Sequence, residues 1–275
     1  AEMRCGDIPE EQGSVNPTLI HTRSGLSELK PYLALSRTPH GLLDMATPAL
    51  AALLWLGAFP QPGIVVLGLI TAIAGYTAVY ALNDLVDYHI DSRRVADRLL
   101  PAVSNDLDSI FIRHPLAYGL LPVTRGLLWT VVWASAALIG SYLLNPVCAG
   151  IFLGSILLEA SYCLLWKTSW LKVVISGVVK TSGPMAAVFA VDPEPALPPL
   201  IILFLWLFLW EIGGQNVPND WADIDEDQML RATTIPVRLG PAVAAGVILL
   251  SLLAAVALCV FSMVLSPAGG RYAAA

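Results

Sequence analysis

Residues 83–91 read NDLVDYHID and directly follow a long apolar run. The stretch places Asp84, Asp87 and Asp91 at spacing i, i+3 and i+7, which aligns side chains along one face of a helix. The same pattern returns as NDWADIDED at residues 219–227, again after a long apolar run. The sequence therefore predicts two stacks of carboxylates, each at the end of a membrane helix.

The two stacks contain six aspartates, which repel one another unless a cation neutralises them. Hard oxygen ligands of this kind select Mg²⁺, Mn²⁺ or Ca²⁺. The alternative is a pair of solvated helix ends in which Asn83 or Asn219 acts as a cap. Identical spacing on the same membrane face favours metal binding. We therefore predict that Mg²⁺, with Mn²⁺ as an alternative, binds the catalytic residues Asp84, Asp87, Asp91, Asp220, Asp223 and Asp227.

Two opposed carboxylate stacks are suited to gripping a diphosphate through Mg²⁺. This ion keeps several waters and combines one or two carboxylates with phosphate oxygens. Metal bound to a diphosphate also neutralises the charge that develops as the diphosphate departs. The pattern therefore predicts an enzyme that ionises an allylic diphosphate.

The composition is that of an integral membrane protein. Of the 275 residues, 56% are hydrophobic and 13% are charged, and the mean hydropathy is +0.70. Soluble domains carry roughly one-quarter charged residues. The 15 Lys and Arg residues lie beside apolar runs instead of along one basic face, which excludes nucleic acid as a partner. The lipid bilayer is the expected surrounding.

Seven apolar windows are long enough to cross a bilayer, which takes about 20 helical residues. They predict an all-α, polytopic membrane bundle. We expect residues 1–38 to form an N-terminal segment with an amphipathic lead-in, residues 39–265 the transmembrane domain, and residues 266–275 a tail. The windows are 41–59, 63–83, 126–145, 147–166, 171–191, 198–217 and 241–265.

The basic residues are distributed unevenly between the two membrane faces. Thirteen of the 15 fall before the first window or in the connections after the second, fourth and sixth windows. The positive-inside rule makes that face cytoplasmic. Both Asp motifs then face the cytoplasm, and we expect an integral protein of the plasma (inner) membrane.

Several other side chains are candidates for contacting substrate. Arg94, Arg113 and Lys172 share the face of the Asp motifs and can hold a diphosphate, although they also serve as topology signals. Asp44 falls inside an apolar window, where a charge is costly unless it is paired or lines a cavity, and it is a candidate for a polar acceptor pocket. We expect Tyr162 to be mainly an aromatic residue of the membrane interface, and its ring can also stabilise a carbocation.

These motifs resemble those of the UbiA superfamily of intramembrane prenyltransferases. The signature NDxxDxxxD after the second helix of that family is matched by residues 83–91, and residues 219–227 are similar to its second Asp-rich motif. Residues 113–119, RHPLAYG, resemble the family element Arg-Pro-Leu-x-x-Gly with His114 inserted. Arg37 before Thr-Pro and the region from Tyr162 to Lys172 are also similar to family positions.

The resemblance covers about residues 35–265 and implies a helical bundle with a central cavity under a cytoplasmic cap. It implies Mg²⁺-dependent transfer of a prenyl group from an isoprenyl diphosphate to a lipophilic, often aromatic, acceptor. Carried over residue by residue, the six aspartates bind Mg²⁺. Asn83 and Asn219 support the diphosphate site, and Arg113 and Lys172 contact phosphate.

The chain departs from the family pattern in its span number and its loops. The family has nine spans, whereas only residues 228–275 follow Asp227 and they supply one window. We expect a C-terminus that is truncated or lacks the last two helices. The stretch between Asp91 and Arg113 is longer than usual, and Arg231 stands where Gly is common.

Three other functions remain open at this point. One is a membrane diphosphate hydrolase, which would need a route for water to the cation or phosphorus and would release prenyl alcohol as its sole product. A terpene cyclase would use the same diphosphate clamp without an acceptor, since the substrate's own double bond attacks the cation. A divalent-cation transporter would need carboxylates along a crossing path, whereas here they are concentrated on one face, which makes it the weaker alternative.

Overall fold

A computed structural model describes residues 25–97, 110–165 and 169–265. Within these ranges the secondary structure is helical, with no strand. The N-terminal segment up to residue 24, the tail from residue 266 and much of the long connection lie outside the described residues. The helices are α1 Gly25–Leu35, α2 Thr38–Asp44, α3 Ala46–Leu56, α4 Pro62–Ala96, α5 Val123–Leu144, α6 Pro146–Leu165, α7 Lys172–Val191, α8 Leu197–Trp210, a π-helical segment Glu211–Asn216, α9 Val217–Ala222, α10 Ile224–Met229, α11 Ile235–Leu239 and α12 Pro241–Leu265.

Six of the described helices are long and apolar enough to cross a membrane. They are α4, α5, α6, α7, α12 and the continuous stretch Leu197–Ala222, and they correspond to the last six predicted windows. Large aliphatic side chains such as Ile70, Leu128 and Leu250 are exposed on their outer faces. A soluble protein rarely exposes so much apolar surface, so these faces are suited to lipid. The all-α membrane bundle predicted from the sequence is confirmed.

The first predicted window differs, because two short helices, α2 and α3, replace one span. Pro48 has no N–H to donate to the carbonyl of Asp44, and its ring would clash with that carbonyl in a continuous helix. The chain is therefore divided at Met45. The carbonyl of Asp44 instead accepts a hydrogen bond from the hydroxyl of Tyr76 at 3.3 Å.

Helix α4 is much longer than the membrane requires. Its 35 residues extend roughly 52 Å at 1.5 Å per residue, whereas the hydrocarbon core is about 30 Å thick. The first 20 residues from Pro62 are sufficient to cross. The C-terminal end, with the first Asp motif, therefore extends beyond the apolar layer while remaining helical.

Two hydrophobic clusters support the two Asp motifs. Under the first motif, the α4 residue Ala81 packs with Leu35, Leu116 and Leu121. Under the second motif, a separate cluster joins α7, the π-helical segment and α12. Its buried members are Val173, Ile212, Val217, Ile235 and Ala244.

The π-helical segment lies directly before the second Asp motif and is held by close packing. A Cβ added at Gly213 would lie 2.8 Å from the Cβ of Ser251 and 3.0 Å from the carbonyl oxygen of Ile248, both on α12. Asn216 donates to the carbonyl of Glu211 at 3.0 Å and accepts a hydrogen bond from Ser176 at 2.7 Å. The segment thereby fixes where α9 begins.

Candidate active site

The first Asp motif lies on one continuous helix, as its spacing predicts. Asp84 and Asp91 are two turns apart on α4 and are only 6% and 2% exposed. Asp87, between them, is partly buried. Two nearly buried carboxylates on one helix face are costly unless a positive group compensates them.

His114 supplies the compensating group, from a loop that is distant in sequence. Its Nδ1 atom lies 3.0 Å from Oδ1 of Asp84 and 2.9 Å from Oδ2 of Asp91. Burial opposes protonation of His114, but the hydrogen bonds and charges of the two carboxylates outweigh it and raise the pKa of the imidazole above its ordinary value. The imidazole therefore compensates part of the negative charge of Asp84 and Asp91.

The loop holds His114 in a backbone conformation that is unusual for a residue other than glycine. Its φ is 54°, in the left-handed region, and such conformations persist only where the surroundings impose them. Leu116, two residues later, is 2% exposed in the cluster beneath α4. The amide of Leu120 donates to the carbonyl of Pro115 at 2.9 Å. These anchors direct the imidazole at the carboxylates.

The predicted arginines take different positions around this motif. A guanidinium nitrogen of Arg94 lies 3.1 Å from Oδ1 of Asp91, so Arg94 helps to neutralise that carboxylate. Arg37 lies near the ring of Tyr80, at 5.9 Å from its centroid, and its charge also acts on Asp87. Arg113 is half-buried, and no ion pair joins it to another described residue.

The second Asp motif is not one helix, in contrast to the prediction from its spacing. Helix α9 ends at Ala222, Asp223 follows as its C-terminal cap, and α10 begins at Ile224. Asp223 and Asn219 are exposed, Asp220 is partly buried, and Asp227 is 8% exposed. Burial raises the pKa of Asp227 to about 6, against the opposing charge of Lys172.

Lys172 pairs with the second motif as His114 does with the first. Its Nζ atom lies 3.2 Å from Oδ1 of Asp220, and the residue is 3% exposed. The same Nζ lies 5.6 Å from the ring centroid of Tyr162 on α6. Lys172 and Tyr162, both candidates from the sequence for contacting substrate, therefore lie beside the second motif.

Helix α6 lies between the two motifs. Asn83 donates to Oε1 of Glu159 at 3.2 Å and accepts from the thiol of Cys163 at 3.4 Å. The next residue toward the N-terminus, Tyr162, lies near Asp220, whose charge acts on it. Cys163 therefore lies beside the first motif and Tyr162 beside the second, so both motifs border the same face of the bundle. Asn83 is a mid-helix residue here, not a helix cap.

A third polar cluster lies deeper in the bundle, around Asp44. Lys180 of α7 places its Nζ atom 2.6 Å from Oδ2 of Asp44 and 2.7 Å from the hydroxyl of Tyr80. That hydroxyl also donates to the carboxylate of Asp44. Tyr80 lies one helical turn before Asp84 on α4, so the cluster is one turn from the first motif on the membrane side. Lys180 as the partner of Asp44 was not predicted.

An apolar cavity of about 330 Å³ begins at this cluster and runs through the bundle. Its lining extends along α4 from Ile64 to Tyr80, roughly 24 Å of helix. Lys180 and Glu159 are its charged lining residues among those described. A larger cavity, of about 580 Å³, borders Asp192 and lies away from both Asp motifs, so its residues take no part in the site described above.

The donor set at the first motif fits a divalent cation. Ligand atoms of Asp84, Asp91 and His114 all lie within 4.8 Å of one another. Oδ2 of Asp84 is buried and has no hydrogen-bond partner. A buried carboxylate oxygen without a donor is rare in folded proteins, and a metal ion would satisfy it.

Comparison with known families agrees with this geometry. The model of the UbiA prenyltransferase family matches residues 45–275. The chain belongs to the UbiA prenyltransferase family. Among curated protein sequences no significant match to the chain was found.

Solved structures of UbiA homologues share the fold. A UbiA homologue from Archaeoglobus fulgidus bound to DMAPP and Mg²⁺ superposes with a TM-score of 0.67 at 18% identity, over 86% of this chain and 78% of that one. The same homologue bound to GPP and Mg²⁺ gives 0.67 at 17% identity, with the same coverage. A UbiA homologue from Aeropyrum pernix K1, without ligand, gives 0.63 at 21% identity over 80% and 76%.

Proposed function

We propose that this UbiA family member transfers a prenyl group from an isoprenyl diphosphate to a lipophilic or aromatic acceptor. The observation that carries the proposal is the pairing of each Asp motif with a largely buried basic side chain, His114 or Lys172, in a bundle that holds an apolar cavity. The A. fulgidus homologue binds DMAPP or GPP together with Mg²⁺, which supports the same substrate class and cofactor here.

The six aspartates are the proposed ligands of Mg²⁺. Asp84 and Asp91 offer converging oxygens at the first motif, with Asp87 beside them. Asp220, Asp223 and Asp227 are the second set, with Asp220 on α9, Asp223 at the break and Asp227 on α10. When bound, Mg²⁺ would supply Lewis-acid neutralisation of the departing diphosphate.

Cationic side chains complete the proposed diphosphate site. Lys172 is buried beside Asp220 and carries two further N–H donors besides the one directed at that carboxylate. Arg37 lies 5.9 Å from the ring centroid of Tyr80, one turn before the first motif, and is a further cation near the proposed site. Asn83 and Asn219 flank the aspartates, and Arg94 and Arg113 border the same face. These residues orient the diphosphate so that its allylic carbon faces the cavity.

The apolar cavity holds the prenyl chain and excludes water from the cation. Its walls below Tyr80 are mainly aliphatic, so an isoprenoid tail would lie along α4. The rings of Tyr76 and Tyr80 line its wall nearest the first motif, where their faces can stabilise a carbocation. Excluding water prevents the cation from being captured as an alcohol.

The acceptor is proposed to enter beside Asp44, Tyr80 and Lys180. In the reaction the carbon–oxygen bond to diphosphate breaks, and an electron-rich carbon or oxygen of the acceptor forms a bond to the allylic carbon. The acceptor then loses one proton, and the carboxylate of Asp44, which belongs to this cluster, is the proposed proton acceptor. Ionisable side chains at this depth are costly, and cyclisation to a hydrocarbon does not need them. The ion pair therefore favours transfer to a polar acceptor over cyclisation.

The proposed orientation places the Asp motifs on the cytoplasmic side of the plasma (inner) membrane. The excess of Lys and Arg beside the motifs supports this orientation. Isoprenyl diphosphates are water-exposed at their charged end, so a cytoplasmic opening suits their delivery.

The test is diphosphate release by purified protein in detergent, with Mg²⁺ and C10 to C20 prenyl diphosphates. Reactions with and without a panel of phenolic and quinol acceptors are compared. Release that requires an acceptor, with a prenylated product, supports the proposal. Release without acceptor, yielding a cyclised hydrocarbon, would instead establish a terpene cyclase, and prenyl alcohol as the sole product would establish a hydrolase.

A further inference from the structure

His114 contacts the first Asp motif, and the UbiA signature contains no histidine at this place. It stands between Arg113 and Pro115, inside an element that otherwise resembles Arg-Pro-Leu-x-x-Gly. The side chain is 10% exposed, and its Nδ1 atom lies within 3.0 Å of one carboxylate oxygen of each of two aspartates. The imidazole nitrogen between these two carboxylates bears on which metal ion the motif binds.

The two carboxylates converge on one point instead of running parallel. Asp84 and Asp91 are seven residues apart, which separates their backbones by roughly 10.5 Å along the helix axis. Their ligand atoms nevertheless lie within 4.8 Å of each other and of the imidazole nitrogen. Both side chains therefore reach toward the position of His114, from opposite directions along the helix.

The unpartnered oxygen of Asp84 shows that the imidazole alone does not complete the site. His114 engages Oδ1, while Oδ2 is buried with no hydrogen-bond donor. A cation bound among these atoms would contact the free oxygen as well. The positive φ of His114 and the packing of Leu116 keep the ring at this position.

We propose that His114 is a third protein ligand at the first Asp motif, and that its nitrogen shifts the site toward Mn²⁺ and away from Mg²⁺. This inference rests on the proposed function, because it assigns the ligands of the same metal site. Carboxylate oxygens suit both ions, whereas imidazole nitrogen binds transition metals such as Mn²⁺ better than it binds Mg²⁺. A carboxylate-only site lacks this discrimination.

The direct test is electron spin echo envelope modulation of Mn²⁺ bound to the full chain, purified without a polyhistidine tag. We expect ¹⁴N modulation from one imidazole in the wild type and its loss in His114→Ala. The modulation should be retained in His89→Ala, which removes an exposed histidine of α4, the helix that carries the first Asp motif. Because His114→Ala can disturb the loop, wild-type protein labelled with ¹⁵N-histidine provides a second reading. In that sample the ¹⁴N modulation must be replaced by ¹⁵N coupling.

Metal affinity gives an independent readout. Mn²⁺ titrations monitored by the signal of the free ion, with Mg²⁺ as competitor, should show the preference for Mn²⁺ falling about tenfold or more in His114→Ala. His114→Asp should bind both ions with little preference. The His89→Ala protein should match the wild type.

The outcomes separate the inference from the proposed function. If Mn²⁺ binding depends on Asp84 but shows no nitrogen coupling, the inference about His114 is overturned while the proposed function stands. The imidazole would then occupy the position of the cation only when metal is absent. An unchanged metal preference in His114→Ala overturns it as well. Mn²⁺ binding that is insensitive to Asp84→Ala overturns the proposed metal clamp, and the inference with it.

Discussion

Nζ of Lys180 on α7 lies 2.6 Å from Oδ2 of Asp44, at the end of α2, inside a helical membrane bundle. Neither group is fully buried, at 30% and 21% side-chain exposure, and Lys180 lines the apolar cavity. The pair joins two elements that are far apart in sequence. It also places a cation and a carboxylate one helical turn from the first Asp motif.

Removing one member of this pair should destabilise the protein more than removing both. Lys180→Met leaves the Asp44 carboxylate uncompensated in a low-dielectric site, at a cost of about 2 kcal/mol after allowance for partial exposure. The double variant Lys180→Met/Asp44→Asn should recover most of that loss. Thermal unfolding in detergent measures both. Equal destabilisation in the single and double variants would contradict a coupled pair.

The same substitution should separate acceptor binding from diphosphate chemistry. We expect Lys180→Met to raise KM for the acceptor about tenfold while leaving KM for the prenyl diphosphate near its wild-type value. The reason is that Lys180 borders the cavity but contacts neither Asp motif. Steady-state kinetics with each substrate varied in turn provides the measurement. A rise confined to the diphosphate KM would remove Lys180 from the acceptor pocket.

Lys172 should affect the reaction of the prenyl diphosphate and not the binding of the acceptor. Replacing it with Met removes a buried cation 3.2 Å from Asp220 and should lower kcat/KM for the prenyl diphosphate about 100-fold. Lys30→Met, which removes an exposed lysine of α1, is the matched control and should have no effect. Comparable kinetics in the two variants would show that Lys172 is dispensable.

The π-helical segment should be intolerant of a single methyl group. Gly213→Ala would drive a Cβ into the backbone of α12, and we expect about 1–3 kcal/mol of destabilisation. Gly246→Ala on α12 meets no atom within 4 Å and should be neutral or slightly stabilising, because alanine favours helix. Melting temperatures of the two variants in the same detergent measure the difference. Similar values would mean that the close approach at Gly213 relaxes without cost.

The first motif was largely predictable from the sequence. Helical periodicity alone places Asp84 and Asp91 on one face, since their spacing equals two turns, and the apolar run before them predicts the membrane helix. Local patterns are sufficient where one unbroken helix carries the site. Nothing in α4 interrupts it, so the prediction agrees with the structure.

The remaining parts depend on contacts between distant residues. His114 is 30 residues from Asp84, and Lys180 is 136 residues from Asp44, so no periodicity links them. The break at Asp223 interrupts the helical spacing of the second motif, and the spacing alone does not predict it. The histidine before Pro115 is the one sequence signal for this contact, and the resemblance to the family element assigns it no role.

The central claim is that both Asp motifs act on one diphosphate, and diphosphate release by Asp84→Ala and Asp220→Ala measures it most directly. The matched controls are Asp97→Asn and Asp225→Asn, which change an exposed aspartate directly after α4 and one on α10. With saturating Mg²⁺ and a prenyl diphosphate, we predict that each alanine variant loses at least about 100-fold in turnover while both controls remain active. Near-normal release by either alanine variant would contradict the two-motif clamp.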